Sequence, residues 1–586
     1  MANLVNLESV SHAFGTRVLL DGVSLGIGAG EVIGVVGRNG DGKTTLLRIL
    51  MGDLVPDSGR VTISNSASIG VLTQHQAGSP GETIRQVVLD GAADHTYAAR
   101  ADRREIVEAL LAGVDLERPV ETLSGGERRR VGLVEVLLGD HDLIVLDEPT
   151  NHLDVEAIAF LAAHLRSRTA AGLAMLVVSH DRWFLDAVCT RMWEVHGGVV
   201  DAYDGGYAAY VLARVERQRQ AAATEARRRN LARKELAWLR RGAPARTSKP
   251  KFRIEAAEAL IGDVPPPRDR LALEKFATSR LGKDVFDLIN VDYAVENRTL
   301  LDRLTWSIGP GDRIGLVGVN GAGKSTLLDL LAGLRSPQGG KIKRGITLRV
   351  GYLSQGVGEL DDEDRVLQSV TRLKQATKLA TGREASASNL LEEFGFTGDK
   401  LVARIGDLSG GERRRLQFLR LLLEEPNVLL LDEPTNDLDI DTLTVIEDYL
   451  DTWPGTLIVV SHDRYFLERV TDTSWALLGD GSCVLLPGGV EEYLERRRGT
   501  RSSSPAPAPP TRDKPRSDAA LERARKKELA RLESQLSKVD SEIERIHEAM
   551  TAAATDFEKL AALDADLRAA RARKDELEEA WLLAAE

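Results

Sequence analysis

The sequence predicts an α/β protein made of two copies of one phosphate-binding domain, and three observations carry that expectation. Four short motifs recur in the same order in the two halves of the chain. Three of the four stand at the end of a short apolar run, as a buried strand would place them. A strongly basic stretch without apolar runs separates the halves. At 586 residues the chain is also too long to be served by one hydrophobic core.

The first motif is Gly37–Thr44 in one half and Gly318–Ser325 in the other. Val32–Val36 and Ile314–Val317 read as strands that run into these glycine-rich turns, and Thr45–Leu50 and Thr326–Leu331 read as the helices that follow. That context turns backbone N–H groups and a helix N-terminus toward a bound phosphate. Gly37, Asn39, Gly40 and Gly42, with Gly318, Asn320, Gly321 and Gly323, form the cradles. Lys43 and Lys324 reach the β- and γ-phosphates, Thr44 and Ser325 offer a hydroxyl to Mg²⁺, and Thr45 and Thr326 complete the turns. A glycine-rich turn with no ligand would explain one match. It would not put lysine and hydroxyl in register twice.

Leu143–Leu146 and Val428–Leu431 are the next apolar runs, and each ends in Asp-Glu. Asp147 and Asp432 are candidate Mg²⁺ ligands, and Glu148 and Glu433 the groups that orient and deprotonate the attacking water. His180 and His462 follow Leu176–Val178 and Leu457–Val460, where contact with the γ-phosphate suits them. The paired lysines, serines and histidines of the two halves are 281, 285 and 282 residues apart, so the copies are nearly in step.

Composition narrows the class further. Apolar residues make up 43% and charged residues 28%, as in an ordinary globular protein. No run approaches the roughly 18 apolar residues of a membrane span. The amino terminus shows no basic segment leading into an apolar one, so no secretory signal is expected. Two cysteines, Cys189 and Cys483, fit a reduced cytoplasmic protein without a disulfide framework.

The segments Leu123–Glu127 and Leu408–Glu412 both read Leu-Ser-Gly-Gly-Glu and resemble the signature of ATP-binding-cassette proteins, a likeness that spans both halves. Asn151–Asp154 and Asn436–Asp439 after Asp-Glu-Pro-Thr, and Ser-His-Asp-Arg-Trp/Tyr-Phe-Leu at Ser179–Leu185 and Ser461–Leu467, resemble the ABC-F family in particular. The resemblance implies tandem cassettes that pair head to tail within the chain. Ser124, Gly125 and Gly126 would then complete the site of Lys324, and Ser409, Gly410 and Gly411 that of Lys43. It further implies Gln74 and Gln355 as metal-contacting Q-loop residues, Asp154 and Asp439 as D-loops, and Phe14 and Tyr293 as aromatics stacking on adenine. Members of this family act on ribosomes and not as transporters.

Between the cassettes, residues 211–254 hold 14 Lys or Arg against Glu216, Glu225 and Glu235, a local charge of +11 in a chain of net charge −12. Residues up to Trp238 lack proline and glycine and predict a long helix. A basic tip follows, carrying Arg240, Arg241, Arg246, Lys249, Lys251 and Arg253, and a returning helix should end before Pro265. Such a positive hairpin suits contact with RNA phosphates, and it is similar to the tRNA-interaction motif of ABC-F proteins. The tip is short for the antibiotic-protection members, and the Gln74–Ser124 and Gln355–Ser409 intervals are similar, so no extended arm of the first cassette is expected.

Beyond Arg498 a Ser/Pro-rich tether leads to heptad-spaced apolar residues, Leu529 to Met550 and then Phe557 to Trp581, which predict an antiparallel coiled coil. It resembles the C-terminal domain of Uup-like ABC-F proteins, a group implicated in DNA binding, although 521–586 carries a net charge of −4.

The expected organisation is therefore two P-loop ATP-binding cassettes, 1–210 and 268–500, joined by a basic helical hairpin linker, 211–267. A tether, 501–518, and a C-terminal coiled coil, 519–586, complete it. The expected activity is ATP hydrolysis with Mg²⁺ at two composite sites. The expected partners are the ribosome, through rRNA and tRNA at its E site, and DNA through the tail, with no membrane contact. Rival readings are a DNA-maintenance ATPase, a ribosome-protection resistance factor, and the energising subunit of a transporter.

Overall fold

The computed structural model describes residues 3–72, 81–89, 101–217, 219–220, 282, 284–295, 298–354, 360–373, 376–378 and 384–502. The chain separates into two units, Met1–Ser502 and Ser503–Glu586. The described residues all belong to the first, so the expected coiled coil and most of the basic linker lie outside them.

Each half builds a six-stranded sheet of the same order. In the first half the order is Ile69–Leu72, Leu143–Asp147, Ala174–Val178, Val32–Gly37, Arg191–His196, Val199–Asp204. In the second it is Val350–Leu353, Val428–Asp432, Thr456–Val460, Arg313–Val317, Thr473–Leu477, Cys483–Leu486. All neighbours are parallel except the last pair in each sheet. Leu143–Asp147 and Ala174–Val178 are buried throughout, as are their counterparts, because helices cover both faces of a parallel sheet. A three-stranded antiparallel sheet packs beside each, with Asn3–Phe14 or Phe286–Val295 as its central strand.

The topology explains why distant motifs converge. Gly37, Asp147 and Val178 end adjacent parallel strands, so the residues that follow them share one sheet edge. Val317, Asp432 and Val460 repeat the arrangement. The signature helices Gly125–Leu138 and Gly410–Leu423 start at Ser124 and Ser409, each closing a capping box with Glu127 or Glu412.

The halves are interlocked by exchange. Val155, which opens the helix Val155–Ala170, packs into the core of the second half, and Ile440, which opens Ile440–Asp451, packs into the core of the first. Near the axis relating the halves, the two Ser-His-Asp-Arg motifs meet. Arg182 donates to both oxygens of Glu447, which is 0% exposed, and at 3.2 Å to Asp463. Arg464 lies 3.6 Å over the Trp183 ring, and Arg182 5.8 Å over Tyr465. The thiols of Cys189 and Cys483 are free, in line with the absence of a disulfide framework.

Asp181 caps the helix Arg182–Val188 by accepting from Phe184 N–H at 2.9 Å. Burial, and then the neighbouring Asp463 carboxylate, push it up to about 7, while Arg464 and Arg182 pull the other way. A carboxyl raised by folding contributes stability in full below its unfolded value near 3.8, and that contribution is lost as pH rises through about 7. Asparagine keeps the cap without the charge. Asp181→Asn should therefore raise the urea midpoint at pH 8 and match the parent near pH 4. An offset between the two proteins that does not change with pH would refute this assignment.

Candidate active sites

Both phosphate loops are tight turns held open by glycine. Gly42 and Gly323 precede their helices at φ 98° and 101°, in the left-handed region that glycine enters without strain. Lys43 Nζ donates to Gly37 O at 2.7 Å and to Arg38 O at 3.1 Å, and Lys324 Nζ to Gly318 O at 2.6 Å and Val319 O at 3.1 Å. Each ammonium is thus aimed across the mouth of its own loop. Burial pulls both lysines below their ordinary value, against the nearby glutamates Glu148 and Glu433.

The second site is a cleft of about 640 Å³ walled by both halves. Asn320, Gly321, Gly323, Lys324, Ser325 and Thr326 form one wall, with Asp432, Glu433 and His462 at the strand ends. Ser124 and Gly126 of the other half's signature form the opposite wall. At the first site the same approach appears in atomic contacts. A Cβ added to Gly411 would stand 2.8 Å from Asn39 Nδ2 and 2.4 Å from Asp437 O, so only glycine permits this fit.

One carboxylate per half joins the two. Asp154 Oδ1 accepts from Ala157 N–H at 2.9 Å, capping its own helix, while Oδ2 accepts from Asn320 N–H at 3.2 Å. Asp439 does the same with Thr442 at 2.8 Å and Asn39 at 3.2 Å. The Asn39 and Asn320 amides return bonds of 3.1 Å to the carbonyls of Asp437 and His152. Those two residues sit at φ 62° and 65°, in the left-handed region that Asp and His enter more readily than most residues other than glycine.

Glu148 and Glu433 are also left-handed, at φ 50° and 48°. Their peptide N–H groups are tied to Val178 O at 2.7 Å and Val460 O at 2.8 Å, which aims the side chains into the clefts. His180 Nε2 stands 3.3 Å from Glu148 Oε1, and His462 Nε2 3.0 Å from Glu433 Oε1. Desolvation, opposed mainly by the lysine, pushes both glutamates up to about 8. The same burial lowers His180 to about 3 and His462 well below its usual value, so both histidines are neutral. Among the described residues, neither carboxylate oxygen of Glu433 nor the Nδ1 atom of either histidine has a hydrogen-bond partner of good geometry. Buried polar atoms left this way point to a polar ligand that completes them. Lysine, base and neutral histidine around one cleft can bind a triphosphate and activate a water against it.

The structure refines the sequence reading at three points. Strand register pairs Phe14 with Arg17 and Val295 with Arg298, so the counterpart of Phe14 is Val295 and not Tyr293. Val295 lines the cleft, whereas Tyr293 is half-buried against the core with its hydroxyl 3.2 Å from Arg335 Nη1. The choice of Tyr293 followed residue type and not register; Phe14 itself is 79% exposed at the end of its strand. The signature hydroxyls are also engaged already. Ser124 Oγ donates to Glu127 Oε2 at 2.8 Å, and Ser409 Oγ to Glu412 Oε2 at 2.9 Å, in addition to the capping-box bonds. Finally, Arg298 and Arg130 line the second cleft without having been singled out. Arg298 recurs at the register of Arg17, a signal that alignment of the repeats would have exposed. Gln74 and Gln355, with Arg240, Arg241, Arg246, Lys249, Lys251 and Arg253, lie outside the described residues.

Comparison with known proteins agrees with this geometry. A family model described as ABC transporter matches residues 20–151 and 301–436, and a second with the same description matches 193–274. The chain is 36% identical to the uncharacterized ABC transporter ATP-binding protein YfmR of Bacillus subtilis, covering 96% of each protein. It is 34% identical to the energy-dependent translational throttle protein EttA of Escherichia coli K12, over 83% of this chain and 94% of that one. Among solved structures it resembles the archaeal ribosome recycling factor aABCE1, with a TM-score of 0.61 and 23% identity over 84% of this chain and 92% of that one. The RNase-L inhibitor is similar, with a TM-score of 0.58 and 22% identity over 84% and 99%. At such identities these two show a common fold. No helix among the described residues is long and apolar enough to cross a membrane. Two complete cassettes in one chain, each with its own Glu–His pair, belong to an ATP-hydrolysing enzyme, and the chain is a member of the ABC-F family.

Proposed function

We propose that this ATPase acts on the ribosome in the cytoplasm, closing its cassettes on two ATP molecules and passing that closure to bound RNA through the basic linker. The observation that carries the proposal is the completion of each ATP site by the opposite half, with Asp154 and Asp439 bonded to Asn320 and Asn39. Nucleotide binding and domain closure are then one event. The +11 charge of residues 211–254 supplies the RNA-directed element, and a relative 34% identical is named as a translational throttle.

In this reading Lys43, Lys324 and the loops around them hold the phosphates, and Glu148 and Glu433 act as bases with His180 and His462 beside them. Thr44 with Asp147 and Ser325 with Asp432 offer hydroxyl and carboxylate oxygens of the kind Mg²⁺ takes, and Gln74 and Gln355 would complete each set. The Ser325 hydroxyl already bonds the Asp432 carboxylate, so the two donors converge on one point. When bound, the cation would offset charge on the β- and γ-phosphates. The cassettes span 1–210 and 268–500, with 211–267 as linker and its tip residues Arg240 to Arg253 on tRNA or rRNA near the E site.

Glutamine in place of the base keeps its size and removes its proton-accepting oxygen. Glu148→Gln with Glu433→Gln should cut ATP turnover by about 10²–10⁴-fold while ATP binding persists. The same variant should co-sediment with ribosomes in ATP more strongly than the parent. Unchanged steady-state turnover would remove both glutamates from the mechanism.

The linker is tested separately. Replacing Arg240, Arg241, Arg246, Lys249, Lys251 and Arg253 by glutamine should weaken ribosome co-sedimentation and flatten its salt dependence, with basal hydrolysis retained. Undiminished binding by this variant, with loss only on deletion of 519–586, would assign nucleic-acid contact to the tail.

A further inference from the structure

We propose that Asp441 is a relay carboxylate tying the root of the basic linker to the first phosphate loop, so that the linker follows the nucleotide state of the first ATP site and not the second. This deepens the proposed function and rests on reading the linker as its working arm.

After the edge strand Val199–Asp204 the chain enters a helix over 207–217, which leads directly in sequence into the Lys/Arg-rich segment. Arg217 anchors this helix to its own cassette through Glu194 and Asp201, and lies 5.3 Å over the Tyr203 ring. Arg214 reaches in two directions. Its Nε stands 3.1 Å from Glu194 of its own cassette, and its Nη2 stands 2.7 Å from Asp441 Oδ1 of the opposite one. The other oxygen, Asp441 Oδ2, accepts from Arg38 Nε at 2.8 Å.

Arg38 is a residue of the first phosphate loop, next to Gly37 and Asn39. One side chain thus holds the phosphate loop and the linker root together, a carboxylate oxygen for each. Both bonds cross from the first cassette to the second, so separation of the halves breaks them together. A bidentate carboxylate between two guanidinium groups also fixes direction, because each oxygen is committed to one partner.

The second half repeats the outer part of this arrangement without the inner part. Glu156, the counterpart of Asp441, accepts from Tyr493 Oη at 2.8 Å and from Arg497 Nε at 2.6 Å, both on the terminal helix Gly489–Ser502. The residue at the place of Arg38 is Val319, which has no donor to offer. The Arg38 bond therefore has no equivalent from the Val319 side chain, and what the second half demonstrably repeats is the tie between its helix Gly489–Ser502 and the opposite cassette. The two ATP sites are matched in their chemistry and differ in what they are connected to.

Amide hydrogen exchange at residues 207–217 of the full-length chain tests this without ribosomes. Lys324→Ala restricts phosphate binding to the first loop, and Lys43→Ala restricts it to the second. ATP should slow exchange across 207–217 in the Lys324→Ala protein and not in the Lys43→Ala protein. Adding Asp441→Asn to Lys324→Ala should abolish the slowing. Arg38→Val, which copies the second loop and so suits the fold, should do the same, whereas Arg497→Gln should leave the slowing in place. Equal slowing in the two lysine variants, slowing that survives Asp441→Asn and Arg38→Val, or no slowing in Lys324→Ala would each overturn the proposal. Ribosome co-sedimentation of the parent is a separate readout, and its failure would count against the ribosomal reading alone.

Discussion

The arrangement of the molecule depends on a shared carboxylate. Asp154 and Asp439 each cap the helix that follows them with one oxygen and hold a peptide N–H of the opposite phosphate loop with the other. A helix cap is a local requirement, satisfied whether or not the halves are joined. The second bond exists only when they are. Because both bonds come from one rigid carboxylate, the orientation of the helix fixes the direction from which the opposite loop approaches. The swapped residues Val155 and Ile440, one position further along, carry the same relation into the hydrophobic cores. Closure is thus specified by hydrogen-bond geometry at the D-loop and strengthened by apolar burial beside it.

The chemistry of the sites follows from that closure. Glu148 and Glu433 are raised to about 8 because they are removed from water beside neutral histidines, with a buried lysine as the main compensation. Oxygens and imidazole nitrogens are left without good hydrogen bonds, and the glutamates occupy strained backbone conformations. Such costs persist where surrounding structure imposes them, and they are offset when a ligand supplies the missing partners. The signature capping box belongs to the same logic. Ser124 and Ser409 are held by Glu127 and Glu412, which presents the N-terminus of each signature helix to the facing loop in a defined orientation.

Much of this was legible in the sequence, for a physical reason. Buried parallel strands are short unbroken apolar runs, and motifs at their ends are located by the strands themselves, so Lys43, Asp147, Glu148 and His180 could be placed together before any coordinates. The glycines that marked both phosphate loops in the sequence are the ones that stand at positive φ. Register was less legible. The antiparallel strand Phe286–Val295 carries an aromatic residue at Tyr293, two positions before the residue at the cleft, and residue type alone selected Tyr293 over the position that register matches to Phe14. The double use of Asp154, the engagement of Ser124 and the reach of Arg298 depend on side-chain direction across a turn or an interface. No period or spacing in one dimension encodes such directions. The linker tip and the tail fall outside the described residues and remain inferences from composition.

The pseudo-symmetry that made the sequence readable is also where the two halves part company. Three departures lie around the nucleotide sites. Asp41 occupies the first phosphate loop where the second has the buried Ala322, and burial raises this carboxyl beside the triphosphate position. Glu447 stands at the axis where the first half has Ala162, so Arg182 gains a fully buried partner, whereas Arg464 pairs with the exposed Glu491. Arg38 extends the first loop toward Asp441 where the second has Val319. Asp41 and Arg38 add charge to the first phosphate loop where the second has Ala322 and Val319, and Glu447 gives the first cassette's Arg182 a charged partner at the interface. A charge in a half-closed interface is sensitive to solvent entry in a way that an alanine or valine is not. The first site should therefore register opening of the interface more steeply than the second, although both carry the full set of lysine, glutamate and histidine. Both sites thus carry the same lysine, glutamate and histidine in different electrostatic surroundings.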